Sequence, residues 1–230
     1  MRLLLTSGGL RTQSMKDALV GLLDKPVSES RFVFVPTAAN PEGGHKDWLI
    51  HDINSSFEMG WKNYDIVDLA AVSSMPRDRW WPRFDQADVL MFGGGTTFYL
   101  SYWLEKSGLM KALPEMLKTK VYVGISAGSM VAGDSLRVAS EALEKFGELK
   151  DDEYDELGPR GQSSSKTLQL ARLVVRPHFN SPEFPNMRED FLQQVAKSLS
   201  VPMYAIDDQT AIKVVDGKVE VISEGMWKVF

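Results

Sequence analysis

The sequence has no cysteine among its 230 residues. Disulfides, thiolate metal sites and a cysteine nucleophile are therefore excluded. A basic field is missing as well: 26 Lys and Arg stand against 31 Asp and Glu, for a formal net charge of -5, and the cations are scattered along the chain. Nothing in that distribution would hold a phosphate backbone, so no nucleic-acid partner is expected. No apolar run approaches the roughly 20 residues a membrane helix needs. The opening Leu3-Leu4-Leu5 is too short for a signal-peptide core and reads as a first buried strand. No membrane partner is expected, and the default is a cytoplasmic protein. Histidine is scarce too, with only His45, His51 and His178 available for acid–base work.

What is present suits one globular α/β domain over 1–230, with 43% hydrophobic and 25% charged residues. Short apolar runs ending in small residues alternate with segments of helical period, the pattern of a parallel sheet wrapped by helices. Strands are expected at 2–7, 31–36, 64–69, 87–92, 120–125 and 170–176, and helices at about 12–23, 46–59, 97–118 and 184–199. From Met203 onward the residues alternate, turn at Asp216-Gly217 and alternate again, which predicts an antiparallel hairpin closing the sheet. The polar stretch 140–166 is a solvated loop or a flap over the active site.

The run Gly124-Ile125-Ser126-Ala127-Gly128 follows an apolar strand and precedes a helix. This G-x-S-x-G arrangement predicts a nucleophile elbow. Its turn is so tight that Ser126 takes a strained backbone conformation, and side chains two positions to either side would collide. The plainer alternative is a strand-to-helix turn with glycines for close packing. A second glycine cluster, Gly93-Gly94-Gly95, also follows a buried strand. The Walker lysine and the G-x-G-x-x-G spacing are absent, which disfavours a phosphate cradle. An amide of Gly94 or Gly95, together with that of Ala127, is expected to form an oxyanion hole.

A serine nucleophile needs a base. His178 is favoured because Arg176-Pro177-His178 lies just past an expected strand, at the sheet edge where open α/β folds place their sites. His45 and His51 fall on a helix, where a solvated face is the ordinary explanation. The orienting carboxylate comes from Asp207-Asp208, after another apolar stretch. Two like charges are costly to bury side by side, so one should face His178 while the other stays solvated or finds a donor. The order Ser, His, Asp differs from that of α/β-hydrolases and argues against an ordinary esterase or lipase fold.

At these residues the sequence resembles the aspartyl dipeptidase (dipeptidase E, peptidase E) and cyanophycinase family of serine peptidases. The resemblance runs through Leu4-Leu5-Thr6-Ser7-Gly8-Gly9, Val35-Pro36-Thr37-Ala38, Gly93-Gly94-Gly95-Thr96, Gly124-Ile125-Ser126-Ala127-Gly128, Pro177-His178-Phe179 and Ile206-Asp207-Asp208-Gln209-Thr210-Ala211. It implies a class I glutamine amidotransferase-like three-layer sandwich with a mostly parallel central sheet. It further implies Ser126 as nucleophile, His178 as base, and Asp208 where most relatives carry glutamate. Cleavage after an N-terminal aspartate would need a cation, and Arg188 lies near the corresponding place; an exposed helix arginine is the alternative.

The expected chemistry is hydrolysis of a small peptide through an acyl-enzyme, without metal or cofactor, by a monomer or homodimer. The rival from another class is a non-catalytic or altered-specificity amidotransferase-like binding protein. A glutaminase is disfavoured by the missing cysteine, and cyanophycin cleavage by the short chain.

Overall fold

The computed structural model describes residues 1–136, 161–185 and 187–230. The part of the expected loop or flap at 140–160 lies outside the described residues. Among the described residues ten strands run β1 (Arg2–Thr6), β2 (Arg31–Val35), β3 (Asn63–Ile66), β4 (Val89–Phe92), β5 (Val121–Ile125), β6 (Val174–Arg176), β7 (Met203–Ile206), β8 (Thr210–Val215), β9 (Lys218–Ser223) and β10 (Trp227–Val229). The α-helices among the described residues are α1 (Gln13–Val20), α2 (Asp47–Phe57), α3 (Leu69–Val72), α4 (Arg77–Gln86), α5 (Thr97–Ser107), α6 (Leu109–Met116), α7 (Ala127–Ala132) and α8 (Glu189–Ala196).

A seven-stranded sheet with order β3-β2-β4-β5-β1-β8-β9 forms the centre. Its first five strands are parallel, while β8 and β9 are antiparallel additions. Strand side chains alternate between faces, so a single apolar run feeds two cores. Leu3, Val33, Leu90, Tyr122 and Ile212 join one cluster with Phe84, Phe98 and Leu104 from α4 and α5. Leu4, Phe32, Val89, Val123 and Ala211 join the opposite cluster with Met15 and Leu19 of α1. Helices on both faces make the three layers that the pattern predicts. Each fully buried Leu or Phe contributes roughly 1.5–3 kcal/mol of transfer free energy, which is why the strands read as continuous apolar runs.

Several elements differ from the expectation. The 97–118 helix is two helices, because Gly108 takes a left-handed φ of 84° and ends α5 before α6 begins. Helices α3 and α4 fill 69–86, where none is expected; α4 forms around Pro82 and buries Trp80 and Phe84. The strand expected over 170–176 narrows to β6, which leaves the main sheet. It pairs parallel with β7, and β7 pairs antiparallel with β10, in a separate three-stranded sheet. This small sheet has its own apolar cluster of Val174, Phe179, Leu192, Met203 and Ala205. The hairpin closes as expected: Asp216 and Gly217 have φ of 48° and 82°, the two positive values of a type I′ turn.

Candidate active site

Five segments leave strand C-terminal ends at one rim: Ser7 after β1, the glycine run after β4, Ser126 after β5, His178 after β6 and Asp208 after β7. Ser126 stands at φ 45°, ψ -104°, a conformation rarely adopted by a side-chain-bearing residue. The elbow glycines are sterically required. A Cβ on Gly124 would lie 2.6 Å from Ser129 N and 2.7 Å from Gly128 O. One on Gly128 would lie 2.1 Å from Phe92 O. The turn is fixed by two bonds to the Thr6 carbonyl, from Ser126 N at 3.0 Å and Ser129 Oγ at 2.7 Å.

Ser126 Oγ is 2.9 Å from His178 Nε2, and His178 Nδ1 is 3.3 Å from Asp208 Oδ1. These three residues, 82 positions apart at the extremes (208 − 126), therefore form one continuous chain of contacts. His178 itself has φ of 62°. Its ring lies flat against Phe184, with centroids 4.1 Å apart and planes 9° from parallel, so one imidazole face is shielded by carbon.

The adjacent aspartates separate as the repulsion argument requires. Asp208 faces His178. Asp207 instead accepts bonds from Gln209 N at 3.1 Å, Thr210 Oγ1 at 2.7 Å and Met226 N at 2.5 Å, holding the β7–β8 turn against the approach to β10. Burial alone would raise the Asp208 carboxyl. Hydrogen bonds with His178 and Ser7, and the charges of His178 and Arg11, outweigh that and hold it below the ordinary value. It stays ionised at neutral pH.

The glycine run packs on Ser126: a Cβ on Gly94 would be 3.3 Å from Ser126 Cβ and 3.8 Å from the Trp48 ring. Gly95, at φ 120°, is pressed against the Ala38 carbonyl, which would stand 2.3 Å from a Cβ. Thr96 N donates to that carbonyl at 2.8 Å. Ala127 is the first residue of α7, where a backbone N–H has no intrahelical partner. Arg188 precedes α8 and donates from Nη1 to the Ser181 carbonyl at 3.0 Å, which places its guanidinium on the loop that carries Phe184. His51 is exposed on α2 near Arg11 and Lys16; burial and those two cations lower its pKa.

Sequence reasoning passed over Ser7, which reaches both His178 and Asp208 from β1. It also passed over Asp52, a buried carboxyl of α2 beneath Gly9. The available signal was Ser7-Gly8-Gly9 itself, small residues directly after a buried strand at the same rim as Ser126. Among the described residues no group of acidic or histidine side chains is arranged to hold a metal ion, and no helix is long and apolar enough to cross a membrane.

The architecture is shared with solved structures. A protein of Listeria monocytogenes EGD-e, provisionally assigned as a peptidase E, superposes with a TM-score of 0.71 at 18% identity, covering 97% of this chain and 98% of that one. A peptidase from an acI-B1 actinobacterium gives 0.60 at 18% identity, over 100% and 93%. In sequence, Peptidase E of Streptomyces coelicolor is 26% identical over 138 residues, 57% of this chain and 51% of that protein. Peptidase E of Shewanella oneidensis is 37% identical over 76 residues, 33% and 31% of the two chains. The matched stretches thus span 31% to 51% of these curated relatives. The family description for peptidase family S51 fits residues 3–222, from the first strand to the end of the closing hairpin. On that match the chain belongs to peptidase family S51.

Proposed function

We propose that this protein is a cytoplasmic serine-type peptidase that hydrolyses short peptides, dipeptides with N-terminal aspartate foremost, through Ser126, His178 and Asp208. The observation that carries the reading is the 2.9 Å contact between Ser126 Oγ and His178 Nε2, with a carboxylate behind the ring. In the first half-reaction Ser126 Oγ bonds to the scissile carbonyl carbon as its proton passes to Nε2. The C–N bond then breaks and Nε2 returns that proton to the leaving amine. Water repeats the sequence on the acyl-enzyme and frees the acid. Asp208 steadies the imidazolium formed in each half. The oxyanion is held by the Ala127 amide and one from Gly94 or Gly95; a single such donor is worth roughly 10²–10³ in turnover.

Arg188 is the cation proposed for the aspartate side chain, reaching it from the Phe184 loop. The alternative of a binding protein without turnover is less well supported, because a strained serine in contact with an imidazole has no use in binding alone.

The test is hydrolysis of an X-Leu dipeptide panel by wild type, Ser126→Ala and Arg188→Ala, with a fluorophosphonate label located by mass spectrometry. Labelling of Ser126, activity confined to Asp-Leu, and its loss in both variants are expected. Labelling at another residue removes Ser126 as nucleophile; tight binding of Asp-Leu with no product over prolonged incubation favours the binding protein.

A further inference from the structure

Ser7 is fully buried, yet its hydroxyl meets three polar groups of the site. It accepts from the backbone N–H of His178 at 2.9 Å. It bonds to Asp208 Oδ1, and since an ionised carboxylate can only accept, the hydroxyl proton must be directed there. Its remaining lone pair faces His178 Nδ1 at 3.3 Å. Asp208 Oδ1 lies at the same 3.3 Å from that nitrogen.

Counting protons around Nδ1 gives one solution. With the Ser7 proton committed to Asp208, Nδ1 looks at two acceptors and no donor. The ring must carry its hydrogen there, shared between Ser7 Oγ and Asp208 Oδ1, which leaves Nε2 bare to receive the Ser126 proton. We infer that Ser7 is a positioning residue that, jointly with Asp208, fixes the reactive tautomer and orientation of His178. The inference rests on Ser126 and His178 being nucleophile and base.

Ser7 also explains how a shortened acid serves. Both acceptor distances at Nδ1 are long for a single hydrogen bond. An aspartate alone would hold the ring loosely. A hydroxyl wedged between ring and carboxylate adds a second acceptor and pins Asp208 by its own bond. Its contact with the His178 backbone N–H also braces a residue held at φ 62°, a conformation that favours glycine.

The test uses the full chain labelled with ¹⁵N-histidine, where only three histidines need assignment. Wild type is expected to show His178 as the Nδ1–H tautomer. Ser7→Ala is expected to lose the protected Nδ1–H signal and to slow fluorophosphonate labelling of Ser126 by roughly 10- to 100-fold, with Ser7→Thr restoring both. A wild-type His178 in the Nε2–H form overturns the inference even if no Ser7 variant folds. So does a folded Ser7→Ala that keeps the Nδ1–H signal, or labels at the wild-type rate. Should the wild-type label fall outside Ser126, the reading of Ser126 as nucleophile fails instead, while the tautomer measurement still reports on Ser7.

Discussion

Asp208 rests directly on the α-carbon of Gly8: a Cβ there would stand 2.7 Å from Asp208 Cγ and 2.9 Å from its Oδ1. The strand end therefore leaves a hydrogen where any other residue would displace the acid. Gly8→Ala should move the carboxylate away from His178 while leaving the strand intact. A misplacement near 1 Å costs about 10²-fold in rate, so the expected outcome is a drop of about that size in kcat, with an unchanged thermal transition. Steady-state kinetics beside a melting curve checks it.

The same packing limits what can replace Asp208. Glutamate is the residue implied by the family resemblance, but here its extra methylene has to fit between Gly8 and the Ser7 hydroxyl. Asp208→Glu is expected to lose at least about 10-fold in kcat, and Asp208→Asn more, because an amide can present a donor to Nδ1 and favour the wrong tautomer. Equal activity of the aspartate and glutamate forms in a kinetic comparison would contradict the fit described.

Asp52 should leave a mark on the pH dependence of stability. Burial, partly offset by the charge of Arg11 and reinforced by that of Asp208, pushes its carboxyl from 3.8 up to about 7. Its Oδ1 has no hydrogen-bond partner among the described residues. Because the folded-state value is the higher one, the folded protein holds the proton longer than the unfolded chain. Stability is then lost as pH rises from about 4 towards 7, up to roughly 4 kcal/mol at ~1.4 kcal/mol per unit. Asp52→Asn should flatten this slope, and urea titrations at pH 5 and pH 8 should show the variant gaining on wild type at the higher pH. Parallel curves would rule it out.

The glycines of the rim divide by what they touch. Gly128→Ala drives a methyl into the Phe92 carbonyl, where only backbone could yield, and is expected to cost about 3 kcal/mol or more of stability. Gly94→Ala makes one tight contact, with Ser126 Cβ at 3.3 Å, and otherwise meets the Ile125 carbonyl and the Trp48 ring at an ordinary 3.8 Å; it should leave the melting temperature within a few degrees and slow Ser126 labelling. Denaturation and labelling rates measured together separate the two.

How far the sequence discloses the site depends on the kind of residue. Ser126, His178 and the Asp207-Asp208 pair carry chemistry in their residue types and stand at ends of apolar runs, so pattern brings them to one rim, while the choice of Asp208 over Asp207 comes from the family resemblance. Ser7 and Asp52 carry no such mark: a serine after a strand is common, and the pairing of β1 with β5 and β8 is what sets it between the Ser126 turn and the Asp208 turn. The layers of the fold follow from alternation in Leu3-Leu4-Leu5 and Val121-Tyr122-Val123. The destination of β6 does not, because Val174-Val175 reads alike in a large sheet or a small one. Helix α4 escapes notice because Trp81-Pro82 interrupts the helical pattern, although Trp80 and Phe84 bury one face four residues apart.

The hydroxyl of residue 7 meets groups 171 and 201 positions further along the chain. A ribosome-bound fragment that had emerged only as far as residue 200 would carry Ser126 and His178 but lack Asp208. On the proposed mechanism, hydrolytic competence would then come late in synthesis, arriving when the closing ribbon docks beside the first strand.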